Sequence, residues 1–251
     1  MKKTILMIHG MQGAKWCWDD YKSFFDAKGY VCVIPDLRYH DESIKKPHPK
    51  LGNTSLNDYL ADLEDLLKTL PKDTILMGHS MGGLLALLLN SRGYGSKSVL
   101  ITPATPYGIV NMSPSSVKSF FSVVRHWAFW EKPFAQSFED VYYGVFNLYS
   151  KEEARKNYDR LVYESGRALF EIGFWFLDKH KTSYASKESI QTPVLAIAGK
   201  KDRTTPISGI KKMASKYGFK YLEYENHAHG ILGEKGWEEV ASDILEWLEN
   251  S

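Results

Sequence analysis

The sequence is poor in cysteine: Cys17 and Cys32 are the only two in 251 residues. That is too few for a disulfide framework, and they read as reduced, half-buried thiols. Long apolar runs are missing too. Two lysines precede Ile5–Ile8 as they would in a signal peptide, but the run stops after four residues at His9-Gly10, short of the ~7–15 of a secretory core. No stretch approaches the ~20 apolar residues of a membrane span, so stable membrane insertion is not expected and the cytoplasm is the expected location. Charge of one sign is lacking: Lys+Arg 32 against Asp+Glu 30 gives +2, with no Lys/Arg run longer than two, which argues against a nucleic-acid partner. His40, His48, His126 and His180 have no metal-ligand spacing, and no glycine-rich loop has P-loop or Rossmann spacing. No metal or cofactor is implied, and the expected partner is a small molecule.

What is present is an ordinary globular composition, 43% apolar and 25% charged, long enough for one domain with an inserted subdomain. Short β-branched and apolar runs recur at Thr4–Ile8, Val31–Ile34, Thr74–Met77, Ser98–Ile101, Val194–Ala198 and Lys220–Tyr224. Between them lie helical patterns. Leu56, Tyr59, Leu60, Leu63, Leu66, Leu67 and Leu70 recur at spacings of three and four, with Ser55 and Asp58 as an N-terminal capping pair. Leu84–Leu89 has no polar face and predicts a helix buried in the centre, with Gly93 as its C-terminal stop. Trp237, Val240, Ile244, Trp247 and Leu248 mark a last helix. The fold class is therefore α/β, a six-stranded, mostly parallel sheet with helices on both faces.

The rhythm breaks between Ile101 and Val194. Residues 104–185 carry 19 of the 34 aromatic residues and a near balance of charge, 10 Lys/Arg against 9 Asp/Glu. They predict a helical insertion, with residues 1–103 and 186–251 as the core. An insertion of this composition either caps a site lined by apolar and aromatic groups or holds a small core of its own. The cap reading makes Trp127, Trp130 and Trp175 candidate pocket residues.

The chemical signal is Gly78-His79-Ser80-Met81-Gly82-Gly83, between the third strand and the buried helix. A sharp strand-turn-helix forces the serine into a strained conformation, and the flanking glycines give neighbouring backbone room to approach. A hydroxyl needs a base and the base needs an orienting acceptor. Asp202 follows the strand Val194–Ala198, and His227 and His229 follow Lys220–Tyr224, all on the sheet edge that presents Ser80. His79 lies in the elbow, where its ring cannot act on its neighbour's hydroxyl, and reads as a packing or supporting residue.

These residues resemble the α/β-hydrolase superfamily over almost the whole chain, in its minimal six-stranded form with a helical cap. The first strand ends in His9-Gly10-Met11-Gln12-Gly13, with Trp16 and Trp18 following as in that family. The resemblance implies that the backbone N–H groups of Met11 and Met81 form an oxyanion hole. It also favours His229 over His227 as the base, since His229-Gly230-Ile231-Leu232 better matches the family's approach to its last helix. The sequence departs from the pattern at Pro35–His40, which lacks the glycines common there. Gly-His-Ser-Met-Gly-Gly with a cap resembles monoacylglycerol lipases, lysophospholipases, small carboxylesterases, plant methylesterases and hydroxynitrile lyases.

The expectation is a cofactor-free serine hydrolase cleaving a carboxylic ester, with Ser80 as nucleophile, His229 as base and Asp202 as its partner. Its rivals are a ligand receptor with negligible turnover, and a lyase, carbon-carbon hydrolase or haloperoxidase-like activity using the same residues.

Overall fold

The computed structural model describes residues 3–41 and 46–251. In chain order the core begins with β1 (Thr4–Ile8), α1 (Asp19–Ala27), β2 (Val31–Val33), α2 (Leu56–Leu67), β3 (Ile75–His79), α3 (Met81–Ser91) and β4 (Ser98–Ile101). There follow α4 (Pro114–Ser119), α5 (Phe121–Val124), β5 (Pro133–Phe134), α6 (Phe138–Gly144), α7 (Lys151–Tyr158), β6 (Glu164–Ser165) and α8 (Gly166–Gly173). The chain then returns through β7 (Val194–Gly199), α9 (Ile207–Tyr217), β8 (Lys220–Tyr224) and α10 (Trp237–Asn250).

Six strands form one sheet in the order β2-β1-β3-β4-β7-β8, and every neighbouring pair is parallel. The alternation of side chains along a strand divides the core. Leu6 and Ile8 of β1, with Leu76 and Leu100, pack on the side of α2, α3 and α9. Ile5 and Met7, with Met77, Val99 and Ile197, pack on the side of α1 and α10. Both faces are covered, which is why the strands read as continuous apolar runs rather than alternating ones.

The local signals act as their chemistry requires. Ser55 and Asp58 form a reciprocal capping box on α2, and Gly93 takes φ +88 just beyond α3. Every residue of α3 from Met81 to Asn90 is buried. Between β4 and β7 the structure differs from an all-helical insertion. Pro133–Phe134 and Glu164–Ser165 pair as a two-residue antiparallel ribbon, too short to leave a period-two pattern. In the Pro35–His40 segment Tyr39 adopts φ +68, the left-handed conformation usually left to glycine.

Because α3 is surrounded by core, truncating Leu85 leaves a cavity with little freedom to collapse. Leu85→Ala is expected to lower unfolding free energy by about 2–5 kcal/mol, read from the shift of a urea midpoint. A loss below about 1 kcal/mol would contradict the packing described.

Candidate active site

Ser80 sits between β3 and α3 at φ +55, ψ −119, a strained conformation for a residue with a side chain. Two close approaches hold it there. A Cβ on Gly78 would stand 2.0 Å from the Gly82 carbonyl oxygen, and one on Gly82 would stand 2.1 Å from that of Ile8. The turn thus brings the N-terminus of α3 under Ser80. The Met81 N–H opens the helix and has no intrahelical acceptor.

Three elements converge on the hydroxyl. His229, beyond β8, places Nε2 3.0 Å from Ser80 Oγ. Its Nδ1 lies 2.8 Å from Asp202 Oδ2, beyond β7. With Nδ1–H donated to the carboxylate, the Nε2 lone pair faces the serine, the arrangement a general base needs. Asp202 is anchored in turn: Oδ1 accepts the Thr204 and Thr205 N–H groups at 2.7 and 2.8 Å, and the Thr205 hydroxyl lies 2.8 Å from Oδ2. The structure therefore brings Ser80, Asp202 and His229 together. His227 stands apart, with Nδ1 3.1 Å from the buried Glu234.

The oxyanion candidates lie on the two sides of Ser80. A Cβ on Gly10 would be 2.9 Å from the Ser80 Cβ, so the loop after β1 lies directly against Ser80. The Gly10 carbonyl accepts from Gly13 N–H at 3.2 Å and from His9 Nδ1–H at 2.8 Å. This fixes the Gly10–Met11 peptide plane. Within that plane the Met11 N–H points opposite to the Gly10 carbonyl, and among the described residues it has no protein acceptor.

A cavity of about 380 Å³ opens beside Ser80, Met11 and Met81. Its lining is Met, Ile, Val, Leu and aromatic side chains with a few neutral polar groups, and among the described residues no charged side chain lines it. Val117, Phe120 and Val124 contribute one stripe along α4 and α5, and Leu169 and Ile172 of α8 another, with Phe176 in the turn beyond it. Trp175 lines the cavity as expected from the sequence. Trp127 and Trp130 do not, and that expectation is corrected. Residue 127 continues the stripe of Val117, Phe120 and Val124 in spacing, but α5 has already ended, and the following turn leaves Trp127 85% exposed. Trp130 packs among Trp127, Phe129 and Phe170 in the insertion's own cluster.

Buried histidines surround the site, and their surroundings shift them in opposite directions. His79 Nε2 donates to the His229 carbonyl at 2.8 Å. Burial, reinforced by the neighbouring His229, pulls its pKa down to about 3. His9 accepts the Leu37 N–H on Nε2. Burial and the nearby His40 pull it down to about 4. His40 is the opposite case. Its Nδ1 donates to the Arg38 carbonyl and its Nε2 lies 3.0 Å from Glu164. Burial opposes its charge, but the Glu164 carboxylate outweighs it and holds the imidazole above its ordinary value. Glu164, His40 and Thr205 had no sequence signal as site residues: Glu164 and His40 meet across 124 positions, and a loop threonine three positions from Asp202 is unremarkable until its hydroxyl is placed. Among the described residues no group of three or more His, Cys, Asp or Glu side chains is arranged to hold a metal ion, and no helix is long and apolar enough to cross a membrane.

Comparison with known proteins bears on the family and the fold. A sequence profile of the alpha/beta hydrolase family matches residues 5–243. The chain is 32% identical to methylesterase 4 of Arabidopsis thaliana over 90 residues, 35% of this chain and 33% of that protein. It is 30% identical to a pyrethroid hydrolase of Sphingobium wenxiniae over 79 residues, 32% of this chain and 27% of that one. The matches thus span about a third of these curated relatives or less. Among solved structures, an Arabidopsis methylesterase superposes with a TM-score of 0.74 at 16% identity, covering 99% of this chain and 100% of the other. A monoacylglycerol lipase of Paleococcus ferrophilus gives 0.71 at 20% identity, covering 98% and 93%. At such identities the likeness is one of fold.

The neutral histidines predict acid sensitivity. A group whose folded pKa is below its unfolded value of about 6.5 contributes its full stability above that value and loses it as pH falls toward the folded value. For His79 the loss between pH 6.5 and 5 is about 2 kcal/mol. In thermal melts the wild type is expected to lose more Tm between pH 7 and 5 than His79→Gln, whose amide still donates but does not titrate in this range. Equal losses would refute the assignment.

Proposed function

The chain belongs to the alpha/beta hydrolase family, and from that premise we propose that it is a serine hydrolase of neutral carboxylic esters. The observation that carries the reading is the single line of contacts from Asp202 through His229 to Ser80, 2.8 and 3.0 Å long. His229 Nε2 takes the hydroxyl proton as Ser80 Oγ attacks the ester carbonyl, and Asp202 stabilises the resulting imidazolium. The Met11 and Met81 N–H groups receive the oxyanion. Collapse of the tetrahedral intermediate breaks the carbon–oxygen bond, His229 returns the proton to the leaving alcohol, and an acyl-enzyme remains. Water, deprotonated by the same imidazole, attacks the acyl carbonyl; the acid leaves and Ser80 regains its proton.

The cavity supports a substrate class. Among the described residues its lining carries no charged side chain to pair with a carboxylate or phosphate, which supports an uncharged, apolar group as the one it holds. At the ~30 Å³ occupied by a water-sized group, 380 Å³ takes roughly a dozen non-hydrogen atoms. Residues 104–185 serve as the cap over this group. The relatives named methylesterases support a small alcohol on the other side of the ester bond. The expected substrate is thus a methyl or similarly small ester of an apolar acid.

Three outcomes test this. Ser80→Ala should fold and lose labelling by a fluorophosphonate, with hydrolysis falling by as much as about 10⁶; retention of more than a few per cent of the rate removes Ser80 as nucleophile. His229→Ala should lose nearly all turnover while His227→Ala keeps at least a tenth, and the reverse result transfers the base to His227. Across a series of methyl esters, Trp175→Ala should change the long-to-short ratio of kcat/KM by about tenfold or more, since a methylene in an apolar pocket is worth ~10–200-fold. Labelling of the wild type without turnover of any ester would favour a ligand receptor.

A further inference from the structure

Gln12 follows Met11 in the loop beside Ser80 and takes φ +58, a left-handed conformation that side chains disfavour. Its polar groups are held by the insertion. The Gln12 N–H donates to Glu164 Oε2 at 3.2 Å and its carbonyl accepts the Val162 N–H at 2.9 Å. Its side-chain oxygen accepts the Gln136 N–H at 2.7 Å, while its amide nitrogen donates to Gln136 Oε1 at 2.9 Å. Glu164 is fully buried and saturated with donors. Oε2 also receives His40 Nε2–H at 3.0 Å, and Oε1 receives the Tyr59 hydroxyl and the Ser165 N–H, each at 2.7 Å. Burial alone would raise its pKa, but His40 and these hydrogen bonds outweigh it and hold the carboxyl below its ordinary range.

We infer that Glu164 is a positioning residue for the reaction: from the insertion it holds the Gln12 amide, and through it the Met11 N–H that meets the oxyanion. The insertion is therefore part of the oxyanion loop's support as well as a roof. It cannot swing away as a rigid lid without releasing that loop, so substrate enters through the cavity mouth, where Val110, Met112 and Phe176 are both lining and exposed. This inference rests on the hydrolase reading above.

Glu164→Gln tests it with little change of shape. With its oxygen toward Tyr59 and Ser165, the new amide NH₂ faces the former Oε2 partners. Neutral His40 can accept from it while still donating to Arg38, but the Gln12 N–H has no acceptor left. The expected result is a kcat lower by ten- to a hundredfold with KM within twofold, the mark of an interaction made in the transition state. Amide hydrogen exchange in a peptide spanning residues 9–14 should rise. Glu171→Gln is the control. That carboxylate also ties the insertion to the core, through Leu56 N–H and Ser55 Oγ, and does not touch Gln12. It should lower Tm and leave kcat and the exchange of residues 9–14 within twofold of wild type. Gln12→Gly, which relieves the left-handed strain and removes only the pair with Gln136, should fold and lose several-fold in kcat at constant KM. A kcat within twofold of wild type in both the Glu164 and Gln12 variants, or equal kcat loss in the Glu164 and Glu171 variants, overturns the inference. If the wild type neither hydrolyses the ester series nor takes up the fluorophosphonate, the hydrolase reading falls, and the exchange comparison alone decides whether Glu164 holds the loop. Unchanged exchange in Glu164→Gln overturns it.

Discussion

Between Gly78 and Gly82 the backbone approaches itself so closely that a methyl group on either residue would overlap a carbonyl oxygen. The rest of the site follows from that contact. It lets β3 turn into α3 within one residue, lifts Ser80 to the edge of the sheet at a positive φ, and places the first N–H of α3 beneath it. It also brings α3 against the end of β1, because the Ile8 carbonyl lies where a Gly82 side chain would be. The loop carrying Met11 is thereby delivered to the other side of the serine. The burial of α3 holds the approach in place: a helix packed on every side cannot retreat to relieve a strained turn.

The insertion is joined to this frame by directional contacts as well as by apolar packing, in which Ile109 and Ala168 share a cluster with α2 and α3. Glu164 and Glu171 are both fully buried, and a buried carboxylate is tolerated only when its oxygens are met by donors. Glu164 gathers donors from residues 12, 40 and 59 as well as its own neighbour. Glu171 receives the first N–H of α2 and the Ser55 hydroxyl, with Arg167 beside it. Displacing either group would leave several polar groups unmet at once. Apolar packing permits sliding among near-equivalent arrangements, whereas these carboxylates specify one register between insertion and core.

The legible features were those whose cause is local. The apolar runs, the capping pair at Ser55, the glycine stop at Gly93 and the Gly-x-Ser-x-Gly turn each owe their structure to a few adjacent residues, and the sheet and elbow were readable from them. Asp202 and His229 were readable because strand order puts the ends of parallel strands on one edge. Glu164 looked like one acidic residue among nine in the insertion; its partners lie up to 152 positions away, and no spacing rule reaches that far. Thr205 was hidden because a threonine in a loop is unremarkable until its hydroxyl is found against Asp202. Trp127 misled because aromatic character in the insertion says nothing of direction: α5 ends at Val124 and the turn that follows leaves the ring in solvent.

The separation between Gln12 and Glu164 also has a temporal side. A chain is made from its N-terminus at about 5–20 residues per second, so some 8 to 30 s pass between synthesis of residue 12 and of the carboxylate 152 positions later. During that interval β1, β3 and α3 can associate, yet Gln12 has none of the partners that hold it left-handed, and the start of α2 lacks its carboxylate from residue 171. Contacts this distant in sequence are reached only after the entropy of closing long loops has been overcome. The segment bearing Met11 therefore lacks the contacts that hold it until residue 164 has been made. A nascent chain ending before residue 164 has the sequence of the strained Ser80 turn but lacks the carboxylate that meets the Gln12 N–H, which separates in time the two sides of the cavity floor.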